Sequence, residues 1–122
     1  MNIANDEKIT QYYALSPQKF SVLEKLIIEQ NFSQKNPASA PELDLEIQLR
    51  TNEESPSRRL TLKFHGIRDL HLQQPSWSVF ILTLIEITSI EDRQWESIKY
   101  SVNETEDETL SFLCQDFEMH VT

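Results

Sequence analysis

Polar and apolar residues alternate with a period of two over much of this chain. Leu43, Leu45, Ile47 and Leu49 interleave with Glu42, Asp44, Glu46, Gln48 and Arg50. Side chains of a strand point to opposite faces in turn, so this pattern predicts a strand with one wet face. Leu60, Leu62 and Phe64 repeat it against Arg59, Thr61 and Lys63, after a turn at 52–57 that contains Pro56. Two such strands joined by a short connection pair as an antiparallel hairpin. At Gly66, the only glycine, the alternation slips before Leu70 and Leu72 resume it. A lone glycine in a strand pattern predicts a bulge or a close backbone approach.

Val79 to Ile90 is apolar on both alternating faces, which predicts a central strand covered on each side. Ile98, Tyr100 and Val102 form the next strand, after a polar turn at Glu91 to Gln94. Leu110, Phe112 and Cys114 alternate in turn, and the phase then shifts to Phe117, Met119 and Val121, as at a second bulge or a bend near Gln115 and Asp116.

The first third has a different rhythm. Asp6, Glu7 and Lys8 followed by Ile9, Tyr12 and Tyr13 suit a short helix with acids near its start. Ser16 and Pro17 resemble an N-cap and first helical residue, and Phe20, Leu23, Leu26 and Ile27 fall on one stripe, predicting a helix that ends near Asn31. Residues 33–41 have linker composition. The expected domain is therefore single over 1–122: a helical part over 1–32, the linker, and an antiparallel β part over 42–122. The fold class is α+β, mainly β, with the N-terminal helix or helices packed on an antiparallel sheet of about six strands, as one curved sheet or a two-layer sandwich.

At 122 residues the chain is long enough to bury a core without metal or disulfide, and 39% apolar content is too high for a disordered chain. The single Cys114 allows no internal disulfide, and no signal peptide or membrane segment is visible, so a cytoplasmic location is expected. Net charge is −9, and residues 90–122 hold nine acids against two bases. That balance repels nucleic acid and anionic membrane and favours a basic protein partner. Trp95, beside Glu91, Asp92 and Glu96, is an aromatic with an acidic rim, and Glu104, Glu106, Asp107 and Glu108 form a second acidic turn. Those eight residues are the expected partner-binding set. Trp77, Tyr12 and Tyr13 are further aromatic candidates, the tyrosines if the N-terminal segment is a loose arm.

Candidate chemistry is sparse. One glycine forms no phosphate loop. His65, Asp69 and His71 do not follow a recognised ligand spacing, so no metal and no cofactor are assigned. Cys114 lies in the apolar phase of its strand, which suits a buried cysteine better than a nucleophile. No catalytic residue is expected.

Three stretches resemble small bacterial proteins of unknown function, some of them grouped with immunity proteins of toxin systems: Leu62-Lys63-Phe64-His65-Gly66-Ile67, Gln94-Trp95-Glu96-Ser97-Ile98-Lys99-Tyr100 and Ser111-Phe112-Leu113-Cys114-Gln115-Asp116-Phe117-Glu118. The resemblance covers the C-terminal half and implies a β-rich fold and a protein-binding inhibitor role. Two other classes stand beside that one: a small-molecule carrier or enzyme with a pocket between helix and sheet, near His65, His71 or Tyr100, and a homodimer or larger assembly that buries the second face of Val79 to Ile87.

Overall fold

The computed structural model describes residues 3–31, 42–51, 56–73, 84–90, 98–104 and 110–122, with side chains in the first segment from Glu7 onward. Over these residues the chain forms one helix, α1 (Ile3–Ala14), and eight strands: β1 (Val22–Asn31), β2 (Glu42–Arg50), β3 (Arg59–His65), β4 (Arg68–Leu72), β5 (Ile85–Ser89), β6 (Tyr100–Glu104), β7 (Leu110–Cys114) and β8 (Asp116–Val121). They make two four-stranded sheets, sheet A in the order β1-β2-β3-β8 and sheet B in the order β4-β7-β6-β5. All strand pairings among the described residues are antiparallel. The mainly β, α+β class is as expected, in its two-layer form.

Alternation explains the core. Leu45, Ile47 and Leu49 of β2 lie opposite core residues of β3, with Leu45 facing Phe64, Ile47 facing Leu62 and Leu49 facing Leu60. Rings from the two sheets then meet edge to face: Phe64 with Phe112 at 4.8 Å, and Tyr100 with Phe117 at 4.8 Å. Such contacts add to the area term that holds the layers together. Cys114 belongs to this core, fully buried, and burial first, then the nearby Asp116 charge, pushes its thiol up to about 12. A thiol so placed is inert as a nucleophile.

The expected helix over 17–31 is not formed. Pro17–Lys19 make a single 3-10 turn, Ser16 adopts a left-handed conformation (φ 56°) without a side-chain cap, and the chain runs on as β1. The cause is a bulge. Leu23 faces Leu49 and Lys25 faces Gln48, so one extra residue is inserted at Glu24, and Leu26 then faces Ile47. That insertion spaces the two core-facing leucines by three, which imitates the step of a helix. The earlier segment, ambiguous in sequence, is the actual helix.

Both phase slips are corners between the sheets: of the expected alternatives, Gly66 is the close backbone approach and Gln115 the bend. Gly66 (φ 66°) lies where the chain leaves β3 in sheet A and enters β4 in sheet B. Gln115 lies where β7 of sheet B passes into β8 of sheet A. The two corners are stacked: the Gln115 N–H donates to the His65 carbonyl at 2.9 Å, and a Cβ on Gly66 would stand 2.5 Å from the Gln115 side chain. Glycine is needed there both for its left-handed backbone and for the space. Strands that bend from one layer to the other are how sandwiches close their corners.

The segment expected to be central is also corrected over its described part. β5 stands at the end of sheet B's order, with Ile85 and Ile87 buried and Glu86 exposed. Its outer edge meets α1. The Tyr12 hydroxyl donates to the Ile85 carbonyl, and the Tyr13 hydroxyl accepts from the Ile87 N–H at 3.1 Å and donates to the Ile87 carbonyl at 3.3 Å. Two phenols thus occupy backbone groups that a further strand would otherwise seek. Lys8 ties the same helix to β8 through Asp116 and the Phe117 carbonyl. The N-terminal segment is therefore anchored, with Tyr12 fully buried, and is not a loose arm.

Candidate functional site

Because the core takes every second side chain, the remaining ones of each sheet form an outer face, and these faces are the surfaces on offer to a partner. Strand register assembles the outer face of sheet A into four rungs. The first holds Glu29 opposite Asp44, and His65 opposite Asp116. The second runs Ile27, Glu46, Lys63, Glu118. Lys25, Gln48, Thr61 and His120 make the third, and Val22, Arg50 and Arg59 the fourth.

Charges on this face are organised in pairs. Glu24, at the bulge, lies 2.7 Å from Arg59 and 3.5 Å from Arg50, and its carboxyl is held below the usual carboxylate range, chiefly by the Arg59 hydrogen bond. Lys63 faces Glu46 at 3.8 Å. The His65 ring is bracketed by two carboxylates, Glu118 at 2.6 Å from Nε2 and Asp44 at 3.6 Å from Nδ1. Asp44 is itself held by the Asn31 side-chain amide at 2.7 Å. The hydrogen bond with Glu118 raises the His65 pKa, partial burial lowers it, and the Asp44 charge raises it further. A shallow hollow of about 150 Å³ lies beside these groups, lined by Ile27, Glu29, Asp44, Glu46, Lys63 and His65 among others.

The outer face of sheet B is built from different material. Its rungs are His71, Ser111, Asn103, Glu86, and Arg68, Leu113, Ser101, Thr88. Short hydroxyl and amide side chains occupy the middle, and an open hollow of about 380 Å³ lies over Asp69, His71, Ser101, Asn103 and Ser111. No ion pair joins the described residues of this face.

His65 and His71 therefore lie on different sheets, and among the described residues no group of three potential ligands is gathered for a metal. Tyr100 is fully buried between the layers. Of the expected partner-binding residues, Glu91, Asp92, Trp95, Glu96, Glu106, Asp107 and Glu108 lie outside the described residues, as do Trp77, the linker at 33–41 and the stretch 79–83. Glu104 is described, and only 1% exposed, at the end of β6 opposite Ile85. Its carboxylate is thus not part of an open acidic surface. The two acidic connections leave from opposite ends of β6, the first before Tyr100 and the second after Glu104.

Sequence reasoning missed the charged face of sheet A. The wet positions of β2 and β3 were legible, but which of them become neighbours depends on register and on β1 being a strand.

Among the described residues no helix is long and apolar enough to cross a membrane. No curated protein matches the sequence. No solved structure matches it either. The resemblance noted in the C-terminal half extends much further: the family described as immunity protein PIM8 matches residues 4–120, nearly the whole chain, and the protein belongs to that family.

Proposed function

We propose that this protein is a non-catalytic, immunity-type inhibitor that acts by binding a toxin protein, and that its acidic connections steer a basic partner toward it. Family membership over residues 4–120 is the observation that carries this reading. The net charge of −9 and its concentration in residues 90–122 support the basic partner, since complementary charge raises association rates. The inert, buried Cys114 fits a role without covalent chemistry. Glu104, being buried, is left out of the contact set, which comprises Glu91, Asp92, Trp95, Glu96, Glu106, Asp107 and Glu108.

The test begins with a pull-down from the source organism's lysate at low and high salt, followed by stopped-flow association with the purified partner. Because the acidic connections leave opposite ends of β6, they are neutralised separately, as Glu91→Gln/Asp92→Asn/Glu96→Gln and as Glu106→Gln/Asp107→Asn/Glu108→Gln. At least one set is expected to slow association about tenfold at low salt and to flatten its salt dependence. On-rates unchanged by both sets would sink the acidic-steering reading.

A further inference from the structure

Each sheet ends in two edge strands, whose outward N–H and C=O groups are open to a further strand unless something blunts them. Among the described residues, three of the four edges are blunted. β5 has the Tyr12 and Tyr13 hydroxyls on its backbone, and β8 has the Lys8 ammonium on its Phe117 carbonyl. β4 is five residues long, shifts register between Arg68 and His71, and carries Asp69 at φ 53°. β1 differs from all three. It is ten residues long, and among the described residues no strand pairs with its outer edge. Its bulge at Glu24 lies near its start, so Lys25 to Glu29 run on in regular pairing with β2. Ile28 is 44% exposed although it stands beside the core residue Leu45.

The side chains of that stretch select the occupant. A second copy joined edge to edge about a two-fold axis normal to the sheet pairs β1 antiparallel with itself and keeps each face on its own side. Centred on Lys25 or on Glu29, this pairing sets like charges against each other at the axis. Centred on Leu26 or Ile28, it brings neither charge opposite the other. Centred on Ile27, it sets Lys25 of each copy opposite Glu29 of the other, twice over, on the outer face. On the inner face Leu26 of each copy then meets Ile28 of the other, and both bulges stay outside the paired stretch. Lys25 and Glu29 are exposed, and among the described residues neither has an ion pair within the chain. Opposite charges and apolar side chains in cross-strand positions stabilise a ladder, and like charges oppose it. We propose that two copies of this chain join along the β1 edge in the register centred on Ile27, so that their A sheets become one continuous sheet. The contact draws on neither the acidic connections nor the stretch 79–87, so it stands apart from the inhibitor reading.

The experiment uses the purified full chain in sedimentation velocity over a wide concentration range. Wild type is expected to form a dimer as concentration rises. Lys25→Glu alone and Glu29→Lys alone each set two like pairs across the axis, and each is expected to lower the association constant at least about tenfold. The double variant Lys25→Glu/Glu29→Lys restores both opposite pairs at the wild-type net charge, and is expected to recover the dimer. Register is read by oxidative cross-linking. Ile27→Cys places two thiols directly opposite at the axis, whereas Gln30→Cys places them six residues apart along the ladder, roughly 20 Å and out of reach. Cys114 is fully buried and takes no part. Faster dimer formation through Ile27→Cys is expected. A double variant that stays as weak as the single ones, or equal cross-linking through both cysteines, would overturn the proposal. Wild type that is monomeric throughout would overturn it too, and would leave the β1 edge to a strand of the toxin partner.

Discussion

The two sheets bury one core but face the solvent in opposite manners. Sheet A presents long ionised side chains, Glu24, Glu46, Lys63, Arg59 and Glu118, tied in pairs across strands. Sheet B presents Ser101, Asn103, Ser111 and Thr88, which are short and uncharged. Inward positions are constrained by packing, since every gap costs contacts and transfer free energy. Outward positions are constrained only to stay polar, so they are free to differ.

Predictions that test the contrast fall in order of size. The largest effect belongs to what the faces share. Phe64→Ala removes a fully buried ring that contacts Phe112 across the layers, and a loss of about 3–5 kcal/mol is expected in urea unfolding. A loss below about 1 kcal/mol would mean that the two sheets do not depend on one core.

A smaller effect separates the faces by pH. The folded His65 pKa lies above the ordinary 6.5, chiefly through its bond with Glu118. Its contribution is thus fully present below about 6.5 and is lost as pH rises through the folded value. Stability measured from pH 6 to pH 8.5 is expected to fall in wild type and to fall less in His65→Gln. Ring exposure keeps the difference modest, because solvent screens the pair. Identical slopes would show that the Asp44–His65–Glu118 bracket does not couple to folding. The smallest effect is expected on sheet B: Ser111→Ala should change stability by no more than about 0.5 kcal/mol, with no added salt dependence. A larger loss would reveal that this plain face is held by something beyond the described contacts.

Several elements are legible in the sequence alone. The hairpin of β2 and β3 follows from two clean alternations and a short connection, and the burial of Cys114 from its phase. Other elements misled for identifiable reasons. In β1 one inserted residue at Glu24 turned a period of two into an apparent helical step. At Gly66 the alternation leaves a bulge or a close backbone approach open, and at Gln115 a bulge or a bend; the structure selects the second of each, because the two corners are neighbours, which sequence does not show. Apolar residues on both alternating faces of Val79 to Ile90 predict a central strand, whereas β5 ends its sheet and its edge is covered by Tyr12 and Tyr13, at sequence separations of 73 and 74. The family resemblance is carried in sequence by three stretches of the C-terminal half, although the match spans residues 4–120.

Local sequence determined the mainly β class, most strand positions, the acidic balance and which side chains of β2, β3 and β8 face water. These depend on side-chain alternation, a property of each segment by itself. Tertiary structure decided the division into two sheets, the crossing of the chain between them at Gly66 and Gln115, and the ion pairs across sheet A. Each of those depends on which residues from distant segments come to lie side by side, and a charge has a neighbour only once register has supplied one.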